Sequence, residues 1–466
     1  MDLETAKAYV LRKNIPHGRL GLDGLKLVLK KLGNPQKNQK IIHIAGTNGK
    51  GSTAAYIANI FAQAGFKVGQ YASPYVYNFG ERMRILDGSK KDKAYVKNFR
   101  DGQISPDLFF KYTNEIAAVI ASMDLETKKL PNYFEILTIM AFLYFAEAKC
   151  DLWVLEVGLG GRLDPTNVID APEIAVVTSI GLDHQDRLGD TRVKIAGEKA
   201  GILKKGTKYL ALYDQSVAIE DPEEAKAVTK VFLDKAKALG IKVIALKSED
   251  ITRHAYNLKG QSFAYKDYPK PFKTKLLANY ASLNACLAIE AARAFAPDLK
   301  LEDIYQGIEN TYWPGRLELL NEDPVSLLDG SHNPQGVRSL RHSLEKLFPQ
   351  DTTEIHLTMS MKSKDHVENF KQIFQDAKIK YIICTGIKEM SKVMPAEELA
   401  KIAKQVAKEY YDKADMPIIY SIDSIEAASE KALELLDKED KSILIAWGSF
   451  YMAPDFKNTV EKYLNK

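Results

Sequence analysis

The stretch IIHIAGTNGKGSTAAYIANIFAQAGFKVG, residues 41–69, decides how the chain is read. Its first five residues are an apolar run of the kind that forms a buried strand. Its tail sets Ala55, Ala58, Ile60 and Phe61 at helical spacing before Gly65, a residue suited to a C-cap. Between them lies GTNGKGS (46–52). A glycine-rich turn that opens a helix aims backbone N–H groups at an anion, at the positive end of the helix. Gly46, Gly49 and Gly51 let backbone approach phosphate closely, with Thr47 and Asn48 completing the turn. Lys50 would reach β- and γ-phosphate oxygens, and Ser52 or Thr53 a metal or phosphate oxygen. The spacing is not GxxxxGK[ST], because two residues separate Gly46 from Gly49 and Gly51 intervenes between Lys50 and Ser52. An ordinary glycine-rich turn would account for one GxG. Three glycines, a lysine and a hydroxyl pair at this junction favour a nucleotide.

Working outward, DLWVLEVG (151–158) and IAVVTSIG (174–181) are further buried-strand candidates, and FEILTIMAFLYFAEAK (134–149) predicts an amphipathic helix leading into the first. Strands alternating with helices imply an α/β fold with a mostly parallel sheet. TYWPGRLELL (311–320) carries Pro314 and Gly315 as punctuation, after which the alternation restarts with VSLLDGSHNP, EIHLTMS, YIICTG and SILIAWGS. The expectation is a large P-loop-type domain over 1–312, a linker over 313–317, and a smaller doubly wound C-terminal α/β domain over 318–466. Residues 87–103 predict an exposed loop or hairpin, while 214–229 and 248–271 look irregular. No repeat of solenoid period is present.

Composition excludes several classes. The 466 residues are 45% hydrophobic and 27% charged, a globular mixture. Net charge is +4, from 65 basic and 61 acidic residues, which gives no reason to expect nucleic acid or an anionic membrane. Cys150, Cys286 and Cys384 make neither a disulfide framework nor a zinc pair, so a reduced interior is expected. The N-terminal residues lack the apolar core of a signal peptide, and no apolar run approaches the ~18 residues of a membrane span. A cytoplasmic protein is the expectation.

Carboxylates and an imidazole gather at the predicted strand ends. Glu156 ends one strand, before GLGGRLDPTN (158–167), and Asp183 and His184 follow the other. Oxygen ligands with one imidazole suit Mg²⁺ or Mn²⁺ held through nucleotide phosphates. The run TRVKIAGEKAGILKKG (191–206) adds Glu198 and Lys199. Each has a plainer alternative. Glu156 could be a solvated strand-end charge, His184 a hydrogen-bonded histidine, and Lys199 the partner of Glu198. Their joint placement beside a phosphate loop favours the site.

HIAGTNGKGS, ASPY, NYFEILTIMAF, LEVGLGGRLDPTN, TSIGLDH, IAGEKAGI, WPGRLE and LLDGSHNP follow in this order between about Arg19 and Asn333. Together they closely resemble folylpolyglutamate synthase and its bifunctional form with dihydrofolate synthase, in the Mur ligase superfamily. The resemblance implies that ATP phosphorylates the terminal carboxylate of a folate and that the amino group of L-glutamate displaces phosphate. It further implies that Lys50 and the 49–53 backbone hold ATP phosphates, joined by Asn284, Arg316 and Asp329. By the same resemblance Ser73, Glu156 and His184 hold Mg²⁺, and Lys199 is carbamylated and becomes a metal ligand. Phe134 and Glu135 match a pair near the folate pterin, and His332 lies in the HNP motif of an interdomain cleft. A monomer is implied, with domain closure completing the site.

Where the family reads SPH, this chain has Ser73-Pro74-Tyr75, which removes an imidazole. Two other readings remain. A Mur ligase of cell-wall synthesis usually carries a further N-terminal domain, and about forty residues precede the loop here. A P-loop switch predicts the strict GxxxxGK[ST] loop and a separate strand ending in a metal-binding aspartate. Neither GxSxG nor a Cys–His pairing points to covalent catalysis.

Overall fold

The computed structural model describes residues 3–10, 22–90, 98–123, 130–348, 351–388, 390–436 and 441–465. Arg19, where the motif series begins, and residues 91–97 of the 87–103 stretch fall outside them. The chain divides into two compact units, 1–251 with 283–312, and 252–282 with 313–466.

The first unit is organised by seven strands: β1 (Ile41–Ala45), β2 (Lys67–Tyr71), β3 (Met83–Asp87), β4 (Leu152–Glu156), β5 (Ile174–Val177), β6 (Tyr209–Leu212) and β7 (Lys242–Ala245). They lie in the order β3-β2-β4-β1-β5-β6-β7, with only the β2–β3 pair antiparallel. β1 and β4 are buried along their whole length. Parallel strands covered on both faces must be apolar throughout, which is why these runs show no alternation. The helix Lys50–Gln63 is buried at thirteen of its fourteen residues, Lys50 being the exception. Gly307 of the helix Leu301–Glu309 lets it pack directly on this helix, since a Cβ there would come 2.5 Å from Ile60 Cα.

The helix expected to be amphipathic over 134–149 is instead buried from Glu135 to Phe145, within Tyr133–Glu147. Tyr112 and Ile116 of the helix Pro106–Ala121 cluster with it on one side and Trp153 of β4 on the other, so no polar face is needed.

The second unit holds an antiparallel ribbon, β8 (Ile251–Asn257), β9 (Gly260–Tyr265) and β10 (Phe272–Thr274). It also holds a six-stranded sheet of β11 (Glu318–Glu322), β12 (Val325–Asp329), β13 (Thr353–Thr358), β14 (Ile379–Thr385), β15 (Ile418–Ile422) and β16 (Ser442–Trp447). The order is β11-β12-β16-β13-β14-β15, parallel except for β11. Residues 252–282 therefore differ from the expected division at 312: they pack with the second unit. Leu277 and Ala278 enter its core beside Leu340 and Leu344, and Asn279 N–H donates to Ser343 Oγ at 2.9 Å.

That core encloses a charge network. Glu354 Oε2 accepts from Arg341 Nη1 at 2.7 Å and from His356 Nε2 at 2.8 Å, while Trp447 Nε1 donates to His356 Nδ1 at 3.0 Å. The indole fixes the tautomer: Nδ1 accepts, so Nε2 carries the hydrogen that reaches the carboxylate. Among the described residues none of the three buried cysteines forms a disulfide, and no helix is long and apolar enough to cross a membrane.

Candidate active site

The glycine-rich turn takes the shape its residues allow. Gly49 has φ +86°, and a Cβ there would sit 2.9 Å from Asn284 Nδ2. Gly46 has φ +155°, and a Cβ would come 1.8 Å from Thr178 Oγ1. Both positions exclude side chains by conformation and by space. The loop is tied to the end of β5: Thr47 N–H donates to Ser179 O at 2.8 Å, Thr47 Oγ1 to Gly181 O at 3.1 Å, and Thr178 Oγ1 to Asn48 O at 2.8 Å. Lys50 Nζ bonds Thr47 O at 3.0 Å. Ser52 Oγ accepts from Asn284 Nδ2 at 2.9 Å, which brings residues 232 apart in sequence onto one helix start. Thr53 Oγ1 is buried without a hydrogen-bond partner among the described residues.

Lys199 stands behind this loop. It is 4% exposed and donates from Nζ to Gly46 O at 2.7 Å. Its ammonium is pushed down to about 7, first by burial and then by the charge of Lys50, against the pull of Asp183 and Asp164. The alternative pairing with Glu198 does not occur, because Glu198 Oε1 binds Arg162 Nη2 at 3.0 Å.

Ser73 N–H donates to Glu156 Oε2 at 3.1 Å, joining the turn after β2 to the end of β4. His184 has φ +51°, and its half-exposed ring stands beside Asp183, with Nε2 4.0 Å from Oδ1. Among the described residues no three His, Cys, Asp or Glu side chains converge as a ready metal cage. Of the predicted donors, Ser73 and Glu156 meet in a corner, and His184 stands beside Asp183.

The Phe134–Glu135 pair divides its labour. Asn132 caps the helix, and Glu135 Oε2 accepts the Asn132 N–H at 2.7 Å in a capping box. Phe134 instead packs over Gly158, where a Cβ would come 2.4 Å from its ring. Sequence reasoning missed two residues here. Asp164, 2% exposed, accepts N–H from Leu159 at 2.8 Å and Thr166 at 2.9 Å, and so shapes the loop after Glu156. Burial pushes its carboxyl up against those bonds. Arg82 lies among Tyr75, Tyr133 and Phe134.

In the second unit, Asp329 accepts from Leu317 N at 2.7 Å and Ser331 N at 2.8 Å, holding the turn that presents His332. His332 Nδ1 donates to Gly330 O at 2.8 Å, and the Arg316 guanidinium lies 5.0 Å from the Phe450 ring centre. A cavity of about 560 Å³ opens at the carboxyl ends of β14 and β15, lined by Lys388, Asp423, Ser424, Asn458 and Lys462. No residue expected from the sequence lines it.

Residues 107–292 match the Mur ligase middle domain, and 315–449 match the Mur ligase glutamate ligase domain. A dihydrofolate synthase/folylpolyglutamate synthase of Bacillus subtilis is 30% identical over 472 residues, covering 97% of this chain and 99% of the relative. A folylpolyglutamate synthase of Lacticaseibacillus casei is 32% identical over 340 residues, covering 70% of this chain and 73% of the relative. The solved folylpolyglutamate synthase of Mycobacterium tuberculosis, complexed with ADP and AMPPCP, superposes with a TM-score of 0.82 at 26% identity over 98% of each chain. Identity of 30% over 97% of the chain, with a Mur ligase middle domain and a glutamate ligase domain matched in that order, places the chain in the dihydrofolate synthase/folylpolyglutamate synthase family.

Proposed function

We propose that the chain is an ATP-dependent amide ligase that adds L-glutamate to the terminal carboxylate of a folate. The observation that carries this is the convergence of Lys50, Lys199 and Asn284 on the loop 46–52, in a chain alike over 97% of its length to an enzyme of that name. A folate carboxylate oxygen attacks the γ-phosphorus of ATP, ADP leaves, and an acyl phosphate forms. The glutamate nitrogen then attacks the acyl carbon, loses a proton and expels phosphate. Such chemistry needs positioning and charge neutralisation rather than an activated side-chain nucleophile. Lys50 and the N–H groups of 46–53 are assigned to the phosphates, with Asn284 fixing Ser52 and with Arg316 and Asp329 as further nucleotide contacts. Phe134 and Glu135 are assigned to the folate side and His332 to the glutamate-ligase unit.

The donor set fits Mg²⁺. One hydroxyl, one carboxylate and one imidazole leave half of an octahedron to water and phosphate oxygens, as this ion prefers. Ser73, Glu156 and His184 would hold it, and it would supply neutralisation of the transferring phosphoryl charge. Lys199 is assigned as the carbamylated residue. Its buried amine, held near neutrality, suits attack on CO₂ with loss of a proton, which replaces a cation by a carboxylate-like ligand. A CO₂ increment in accurate mass, or density beyond Nζ, checks this.

The test is ATP turnover with folate or L-glutamate omitted in turn. Turnover should fall to background in each case, and equal hydrolysis without either overturns the ligase reading. Dihydropteroate and tetrahydrofolate assayed side by side decide whether dihydrofolate synthesis is a second activity. The same reading expects a cytoplasmic monomer, which light scattering of the full chain tests for mass.

A further inference from the structure

Arg82 closes the short turn Phe79–Arg82 and is 7% exposed. Its Nε and Nη1 are buried without a hydrogen-bond partner among the described residues. The neighbouring carboxylate does not serve it. Glu81 turns to the backbone instead, accepting N–H from Val76 at 2.7 Å and from Tyr77 and Asn78 at 3.0 Å. Three rings surround the guanidinium carbon: Tyr75 at 5.2 Å, Phe134 at 5.7 Å and Tyr133 at 5.8 Å from their centres. Aromatic faces stabilise a cation but satisfy few of its five N–H donors. A buried cation with unmade hydrogen bonds is costly, so the cage retains a demand for an anion.

The position of the cage narrows which anion. Tyr75 follows Ser73 by two residues, and Phe134 packs over Gly158, two residues beyond Glu156. Ser73 and Glu156 are themselves joined at 3.1 Å. The cage therefore adjoins the corner assigned to the metal without sharing the phosphate loop's donors. Tyr75, the residue that departs from the family's SPH pattern, supplies its exposed wall at 36% exposure. We propose that Arg82, walled by Tyr75, Tyr133 and Phe134, is the residue that binds a carboxylate of the acceptor folate. This rests on the ligase reading and deepens it. The guanidinium gives charge-assisted N–H donors to the carboxylate, and the rings exclude water from the pair.

The experiment compares the wild-type chain with Arg82→Met and Arg82→Lys, titrated with tetrahydrofolate, p-aminobenzoylglutamate, a hydroxymethylpterin lacking any carboxylate, and AMPPCP. In Arg82→Met the affinity for both carboxylate ligands should fall about 10- to 100-fold, the range for a hydrogen bond to a charged group. Hydroxymethylpterin and AMPPCP should bind unchanged, and Arg82→Lys should recover part of the loss. Removing an unpaired buried cation should leave Tm at or above the wild-type value. Unchanged tetrahydrofolate affinity, an equal loss with the carboxylate-free pterin or AMPPCP, or a marked fall in Tm would overturn the inference. A wild-type chain whose ATP turnover ignores folate and glutamate defeats the ligase reading instead, and the p-aminobenzoylglutamate arm then still judges Arg82.

Discussion

Arg341 and Arg82 are buried almost equally, at 4% and 7% exposure, yet they sit in opposite company. Arg341 binds Glu354 at 2.7 Å and Glu345 at 3.2 Å, and the circuit runs on through His356 to Trp447. Arg82 has aromatic walls and no hydrogen-bond partner for two of its nitrogens among the described residues. Near the phosphate loop the pattern repeats: Thr53 Oγ1 has no hydrogen-bond partner among the described residues, and Lys199 donates to the Gly46 carbonyl rather than to a carboxylate. Burial of a charge is thus not informative by itself. A closed set of partners marks architecture, and an open one marks a place kept for a ligand.

The sharpest way to break this contrast is Arg341→Ala. It strands Glu354 in the core and should cost about 3–5 kcal/mol of stability in urea unfolding, while folate and nucleotide affinity at low temperature stay unchanged. Burial alone would raise the Glu354 pKa, but hydrogen bonds from His356 and Arg341 hold it well below the ordinary 4.5. A depressed folded value means that its stabilisation is present above about pH 4.5 and is lost as pH falls below it. Without Arg341 burial raises that pKa, so the cost of Arg341→Ala should be greatest at neutral pH and shrink as pH falls below about 4.5 and Glu354 takes up a proton. A variant as stable as the wild type would show that the network is not structural.

Lys50→Ala tests the other side. Turnover should fall about 10²- to 10³-fold, as for loss of one preorganised charge-stabilising donor, with Tm nearly unchanged. Near-normal turnover would remove its assigned role. Lys199→Ala should also lose activity, partly restored by short carboxylic acids; no rescue together with an unmodified lysine mass would count against carbamylation. Gly49→Ala sharpens the boundary, because it forces a Cβ at φ +86° against Asn284 and should cost about 1–3 kcal/mol as well as nucleotide affinity. The smallest effect expected is for Arg316→Ala, a severalfold rise in KM for ATP with kcat little changed. No rise at all would free Arg316 from nucleotide binding.

The strand–loop–helix of 41–63 was legible because its signals are local: an apolar run, glycines where φ is positive, and a helix ended near Gly65. The runs at 151–158, 174–181, 325–334 and 442–449 yielded strands for the same reason. Helix 134–149 misled because a segment buried on both sides has no polar face to reveal its period. Ribbon 251–274 stayed opaque because short strands and their choice of unit depend on distant partners such as Ser343. Arg82 carries no mark in sequence. Only the fold shows that Glu81 faces the N–H groups of 76–78 rather than its neighbour.

The helix Lys50–Gln63, enclosed on every side, has a consequence for how the chain comes apart. Opening a fully enclosed helix requires most of the first unit's packing to be lost, so its amides should exchange with solvent only at the slowest, global rate. The edge strand β7 and the largely exposed β8 should exchange far sooner. Mild denaturant would then erode the periphery while the nucleotide cradle keeps its form, and ADP protection should be the last binding signal to vanish.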